Sequence, residues 1–313
     1  MTQGVAPDGA TARRIRTGMF LGVLSMALFG LTLPMTRLAI GSADQPQLSP
    51  WFVTSGRVVL AAALSTCFLL TTRSRLPAPG QWRSLIIAAL GNAVGYPLLL
   101  AFALRQVTAG HAAVITATLP LMTAVVAAWI LRQRVRAGFW ACAVAGSGLV
   151  VVFSWLRATG GGDGFALAGA DVLLIVAVLA ASIGYVYGAR VTPGLGAVRV
   201  ICWVTIITLP VSLPAALLTW PAHSVSPASW VAFAYVGVVS MWAAFFAWYR
   251  ALDLGGPVRV SQVQMLQPFF AIAFAAPLLG EPVDHMTVAF AMAVIATVFA
   301  GQRFHDASRR RPS

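Results

Sequence analysis

The sequence predicts an all-α membrane protein whose ten transmembrane helices form two inverted five-helix repeats. Three observations carry that prediction. Of 313 residues, 59% are hydrophobic and only 9% charged, whereas about a quarter of the residues of a water-soluble domain are charged. So little polar surface leaves lipid as the solvent. The apolar residues gather into ten stretches of roughly 20, the length that crosses a hydrocarbon core about 30 Å thick. Finally, the halves align without a gap at an offset of 148 residues: Ala103-Leu104 falls on Ala251-Leu252, Pro120 on Pro268, Thr116 on Gln264 and Gln133 on Glu281. The composition excludes a cytosolic enzyme, a disordered chain and a secreted disulfide scaffold.

In chain order the stretches are 18–38, 51–71, 84–104, 110–131, 137–155, 169–189, 199–219, 228–249, 257–279 and 285–302. Helices are required, because membrane strands would alternate in polarity. A tail at 1–17 precedes the first repeat, 18–155. A Gly-rich linker, 156–168, carries Gly160, Gly161, Gly162 and Gly164 and leads to the second repeat, 169–302. A basic tail, 303–313, follows. The first stretch is read as a retained span: its apolar run exceeds that of a cleaved leader, and the repeat needs it.

Charge sets the orientation. The net charge is +13, and all 21 basic residues are arginine. With the N-terminus in the cytoplasm, seventeen arginines fall inside. Three (Arg37, Arg105 and Arg157) fall outside, and Arg57 lies within a span. That bias orients both termini to the cytoplasmic side of a bacterial inner membrane and accounts for the basic balance without nucleic acid. Cys67, Cys142 and Cys202 all lie in apolar runs, which argues against disulfides or a metal site. Five spans per half is an odd number, so equivalent loops face opposite sides. Accordingly Arg132, Arg134 and Arg136 follow span four, and Glu281 and Asp284 follow span nine. Inverted repeats are characteristic of secondary transporters.

Phe29-Gly30, Ala103-Leu104, Pro120 and Pro268, Gly148, and above all Leu279-Gly280-Glu281-Pro282 form a pattern. Through it the chain resembles the drug/metabolite transporter superfamily, in particular its ten-helix EamA-type exporters, over about residues 18–302. It departs at Arg132-Gln133, where the family has Gly-Glu, and at Ala296, where a glycine is usual. The resemblance implies a cavity lined by spans 1, 3, 4, 6, 8 and 9, and export of amino acids or other small metabolites.

The candidate residues are polar, aromatic or helix-breaking. Glu281, the sole glutamate, is either a proton-coupling carboxylate or a helix-end residue bonding loop backbone. Arg57 either meets substrate, or anchors its helix by snorkelling or ties it to another helix. His111 and Asp171 stand at the starts of spans four and six, outside the midplane. Asn92 and Tyr96 share a face of span three, and Ser182 and Tyr185 one of span six. Ser261, Gln264 and Gln267 share an arc of span nine and need partners in lipid. Thr116 and Thr118 either line the pathway or bond their own backbone. Trp242, Phe245, Phe246 and Tyr249 make an aromatic stripe at helical spacing. Pro120 and Pro268 are paired hinge candidates.

These features favour a small-molecule exporter in the lipid bilayer that works by alternating access without a cofactor. Neutral or aromatic amino acids are the expected substrates. Exchange of drugs, nucleotide sugars or phosphorylated metabolites is the alternative. A lipid enzyme is remote, because no metal or nucleophile motif falls in a span. Monomer and homodimer are both compatible with the sequence.

Overall fold

The computed structural model describes residues 9–42, 44–130, 137–159, 169–255, 263 and 266–309. They are helical apart from short connections, with one isolated antiparallel bridge, Gly41 to Pro46. We label ten helical stretches. α1 runs Gly9–Gly30 and resumes after Leu31 as Thr32–Ile40; α2 is Pro50–Thr71. α3 comprises Trp82–Ala89, a π turn Leu90–Gly95, and Tyr96–Ala103. α4 is Ala109–Thr116 followed by Leu119–Ile130, and α5 is Ala137–Thr159. α6 is Gly169–Leu195 and α7 Ala197–Leu218. α8 comprises Pro227–Ala234, a π turn Tyr235–Ala243, and Ala244–Gly255; α9 is Gln267–Leu279 and α10 His285–Arg309. Among the described residues, seven helical spans are long and apolar enough to cross a membrane, and Gln267–Leu279 and His285–Thr297 are shorter apolar helices. The linker 156–168 lies mostly outside the described residues, although α5 continues through Thr159.

The tails are more helical than the sequence suggests. α1 begins at Gly9 and α10 runs to Arg309, both beyond the predicted apolar limits. Arginine is a good helix former, and its long stem lets a helix continue into the headgroup layer. α1 breaks at Leu31 because Pro34 has no N–H to give the Gly30 carbonyl. Helix starts are capped by local side chains. Ser49 Oγ accepts from Phe52 N at 3.0 Å with Pro50 in the first turn, and Ser226 Oγ accepts from Ser229 N at 3.2 Å with Pro227 likewise placed. Asp284 Oδ1 accepts from Thr287 N at 2.6 Å at the start of α10. α9 ends on Gly280 at φ +65°, the left-handed stop that favours glycine.

The outer surface is apolar. Leu218 is 86% exposed and Trp129 80%, with Leu70, Val144 and Val211 also bare. Such a belt is stable only against lipid. Cys67 is exposed on it, Cys142 is half-buried and Cys202 buried, and all three thiols are free.

The buried apolar residues are unevenly distributed along the bundle. One cluster joins nearly every helix at the end that carries Glu281: Ile40 of α1, Phe52 of α2, Leu104 of α3, Ile115 of α4, Phe153 of α5, Leu174 of α6, Phe233 of α8, Ile272 of α9 and Val294 of α10. Toward the Arg190 end the described core divides. Val58, Leu85, Val191, Cys202 and Met241 join α2, α3, α6, α7 and α8, while Met26, Trp248, Ala251 and Val263 form a separate group around α1 and α8.

The halves match in detail. α4 restarts at Leu119 and α9 starts at Gln267, 148 residues apart, and the two π turns overlap at that same offset. Pro120 and Pro268 therefore do not kink continuous helices. Each is the second residue of a helix that begins beside it, where a proline costs no hydrogen bond.

Candidate functional site

The two π turns position the polar centre of the bundle. A π turn holds one extra residue, so the helix widens and re-aims its side chains, and such turns are frequent at functional sites. Asn92 lies in the first and Ser240, at the equivalent position, in the second. The α3 turn is held against α6 by paired glycines: a Cβ on Gly91 would strike the Ala180 carbonyl, and one on Gly184 would stand 2.5 Å from Asn92 Oδ1. Asn92 Oδ1 is buried and has no hydrogen-bond partner.

Ser240 collects two helices. Arg57 of α2 donates from Nη2 to Ser240 Oγ at 3.2 Å, and Ser240 Oγ shares a 2.8 Å bond with Thr32 of α1. A hydroxyl has one proton and two acceptor lone pairs, so Ser240 can accept from Arg57 while either donating to Thr32 or accepting from it. Arg57 is only 5% exposed. The anchoring by snorkelling that its sequence position allowed is thus replaced by an inward contact, and Gly237 of α8 makes room for the α2 backbone beside it. Arg57 Nε has no partner, and among the described residues no carboxylate lies within ion-pair distance of it.

Tyr96 follows the α3 π turn, near enough to Arg57 and to Tyr185 of α6 for a charge on one to be felt by the others. Tyr185 is 36% exposed, and helical spacing puts it on the opposite side of α6 from the exposed Val172, Val176 and Leu179. A side chain exposed away from the lipid-facing arc faces the interior of the bundle. Ser182, one turn away, is fully buried and accepts from Thr123 Oγ1 of α4 at 3.2 Å.

The aromatic stripe on α8 is not one face. The π turn ends inside it, so Phe245 meets Phe29 of α1 with ring centroids 4.9 Å apart. Phe246 meets Trp242 at 4.4 Å and Phe68 of α2 at 5.0 Å. Trp242 Nε1 is buried and unpartnered. Thr116 Oγ1 donates to its own helix at Ala112 O, 2.8 Å, and Thr118 Oγ1 to Ile115 O, 2.6 Å. Gln267 is the half-buried first residue of α9. Ser261 and Gln264 lie outside the described residues, as do the side chains of Tyr249 and Pro120.

A second polar group ties the helices together at the Glu281 end. Glu281 accepts from Ala109 N at 2.8 Å through Oε1 and from Gly110 N at 3.1 Å through Oε2, so it caps the start of α4. Arg37 at the end of α1 donates from Nη1 to the carbonyls of Leu104 and Val107. Arg105 in the same loop has its pKa lowered by burial. Buried His111 and Asp171 meet at 2.6 Å, the imidazole Nε2–H donating to the carboxylate Oδ1. Sequence spacing put both residues at helix starts but gave no sign of this pairing between α4 and α6. Among the described residues no group of three metal-ligating side chains occurs.

The sequence pattern of the EamA-like transporter family matches residues 16–155 and again 168–300. The uncharacterized transporter YdeK of Bacillus subtilis (strain 168) is 37% identical over 291 residues, covering 92% of this chain and 97% of YdeK. A WAT1-related chloroplastic protein of Arabidopsis thaliana is 24% identical over 265 residues, which are 81% of this chain and 63% of that protein. A solved crystal structure, described only as that of a protein, superposes with a TM-score of 0.59 at 18% identity, covering 95% of this chain and 98% of its own; that identity speaks for the fold alone.

Proposed function

The chain belongs to the EamA-like transporter family, and from that premise we propose that it exports small amphipathic metabolites by alternating access. Neutral or aromatic amino acids are the favoured substrates. The membrane is the bacterial cytoplasmic one, with both termini inside, as the seventeen-to-three arginine bias supports. One observation carries the reading: Tyr185 is exposed on the side of α6 turned away from the lipid-facing Val172, Val176 and Leu179, on the same helix as Ser182 and facing the helix of Asn92 and Tyr96. Aromatic walls with a few amides and hydroxyls suit a partly apolar solute.

In that orientation the Glu281 end faces out. The continuous apolar cluster there, with the Glu281, Arg37 and His111–Asp171 ties, supports a state closed to the outside, and the divided core supports access from the cytoplasm. Release outward then requires those ties to part while the Arg190 end closes. The helix breaks before Pro120 and Pro268 are the proposed flexing points, because discontinuous helices let one repeat rock on the other. No titratable group beyond the Glu281 end and Arg57 enters this scheme, so transport is expected to run without a proton gradient.

The experiment is counterflow in proteoliposomes loaded with a mixed amino-acid pool, with and without an imposed pH gradient. Gradient-independent uptake of labelled phenylalanine or leucine is expected. Uptake only with the gradient would assign coupling to Glu281 or His111, and uptake of no amino acid would remove the substrate assignment.

A further inference from the structure

We propose that Arg57 is a carboxylate receptor: the transported solute carries a carboxylate that docks on this guanidinium between the two π turns. The proposal deepens the export reading and rests on it for the location of the pathway. An intramembrane guanidinium is costly, and it ordinarily has an acidic or carbonyl partner. Arg57 lacks one. It sits roughly 10 Å along α2 from Pro50, 95% buried, and among the described residues its one hydrogen bond is the 3.2 Å contact to the Ser240 hydroxyl. The acidic side chains described inside the protein are engaged elsewhere: Asp171 with His111, Glu281 with the α4 backbone, Asp284 with Thr287.

What surrounds the guanidinium suits a ligand better than an anchor. Nε and Nη2 lie on the side of the group that receives a carboxylate through two parallel bonds. Nη2 reaches Ser240 at 3.2 Å and Nε is unused. Thr54, one turn away on the same helix, also has a buried hydroxyl without a partner. Tyr96 adds a phenol near the guanidinium, and Tyr185 of α6 near it is 36% exposed. A monoanion matches one fixed cation. A phosphate dianion needs a second, and Arg57 is the only arginine that lies deeper than the terminal turn of a predicted span.

The test uses the purified full-length protein in detergent, with binding followed by quenching of its ten tryptophans. Four probes share a benzyl group: phenylalanine, phenylpyruvate, phenethylamine and phenylalaninamide. The two carboxylates are expected to bind at least about tenfold tighter than the amine and the amide, the discrimination a buried charged site gives against a ligand lacking its partner. R57Q should abolish that preference and R57K should retain part of it. Equal binding of all four probes, no binding of either carboxylate, or an unchanged preference in R57Q would overturn the proposal. If R57Q does not fold, the wild-type comparison decides alone. Amino-acid export can fail separately: tight binding of phenylpyruvate without phenylalanine counterflow would leave the receptor standing and remove the amino-acid reading. Counterflow of phenethylamine equal to that of phenylalanine would do the reverse.

Discussion

Glu281 shows how one side chain at a helix end can carry either of two roles. Its carboxylate oxygens take both the Ala109 and Gly110 N–H groups, donors that the first turn of α4 cannot satisfy itself. E281A is expected to lower stability by about 1–2 kcal/mol, read by thermal unfolding in detergent, and E281Q, which keeps one acceptor, by less. Transport lost in E281Q with unchanged unfolding would instead make the residue a coupling carboxylate. The His111–Asp171 pair makes a different prediction. D171A leaves a buried imidazole without its acceptor and should cost about 1–3 kcal/mol. Adding H111A should cost less than the sum of the single losses, because the two side chains act as a unit. Additive losses would show that the 2.6 Å contact contributes nothing.

At the scale of elements, the spans were legible because apolar run length is a one-dimensional property: each predicted stretch lies on a helix to within a few residues where the structure describes it. The π turns were not legible. An i→i+5 bond differs from i→i+4 by one residue of register, and nothing in Leu90–Gly95 or Tyr235–Ala243 but the glycines marks the change. That shift also divides the α8 aromatic stripe. The repeat offset aligns Ser240 with Asn92, but sequence spacing gives no sign of the bonds Ser240 makes to Arg57 and Thr32. Two predictions belong here. G184A places a Cβ 2.5 Å from Asn92 Oδ1, so it should impair transport, and N92A in the same chain should restore much of it by vacating the space. Persistent loss in the double variant would point to the α6 backbone instead. P268A should slow transport severalfold while leaving expression and unfolding nearly unchanged, since a proline in the first helical turn forfeits no bond. Parallel loss of expression would make the break purely structural.

For the whole molecule, topology is the quantity to measure. In a chain stripped of Cys67, Cys142 and Cys202, a thiol placed at Ser42 should react with an impermeant reagent from outside intact cells, and one at Pro79 only after permeabilisation. The converse would invert the assignment made from arginines. The asymmetric core makes a related statement about motion: the packed end must loosen by as much as the divided end closes, so a crosslink between Arg37 and Val107 positions should trap one state. The two wide turns occupy equivalent places in two copies of a single family pattern. The place is shared and its chemistry is not: Asn92 stands in one copy and Ser240, with its arginine, in the other, so a single backbone device serves two separate uses.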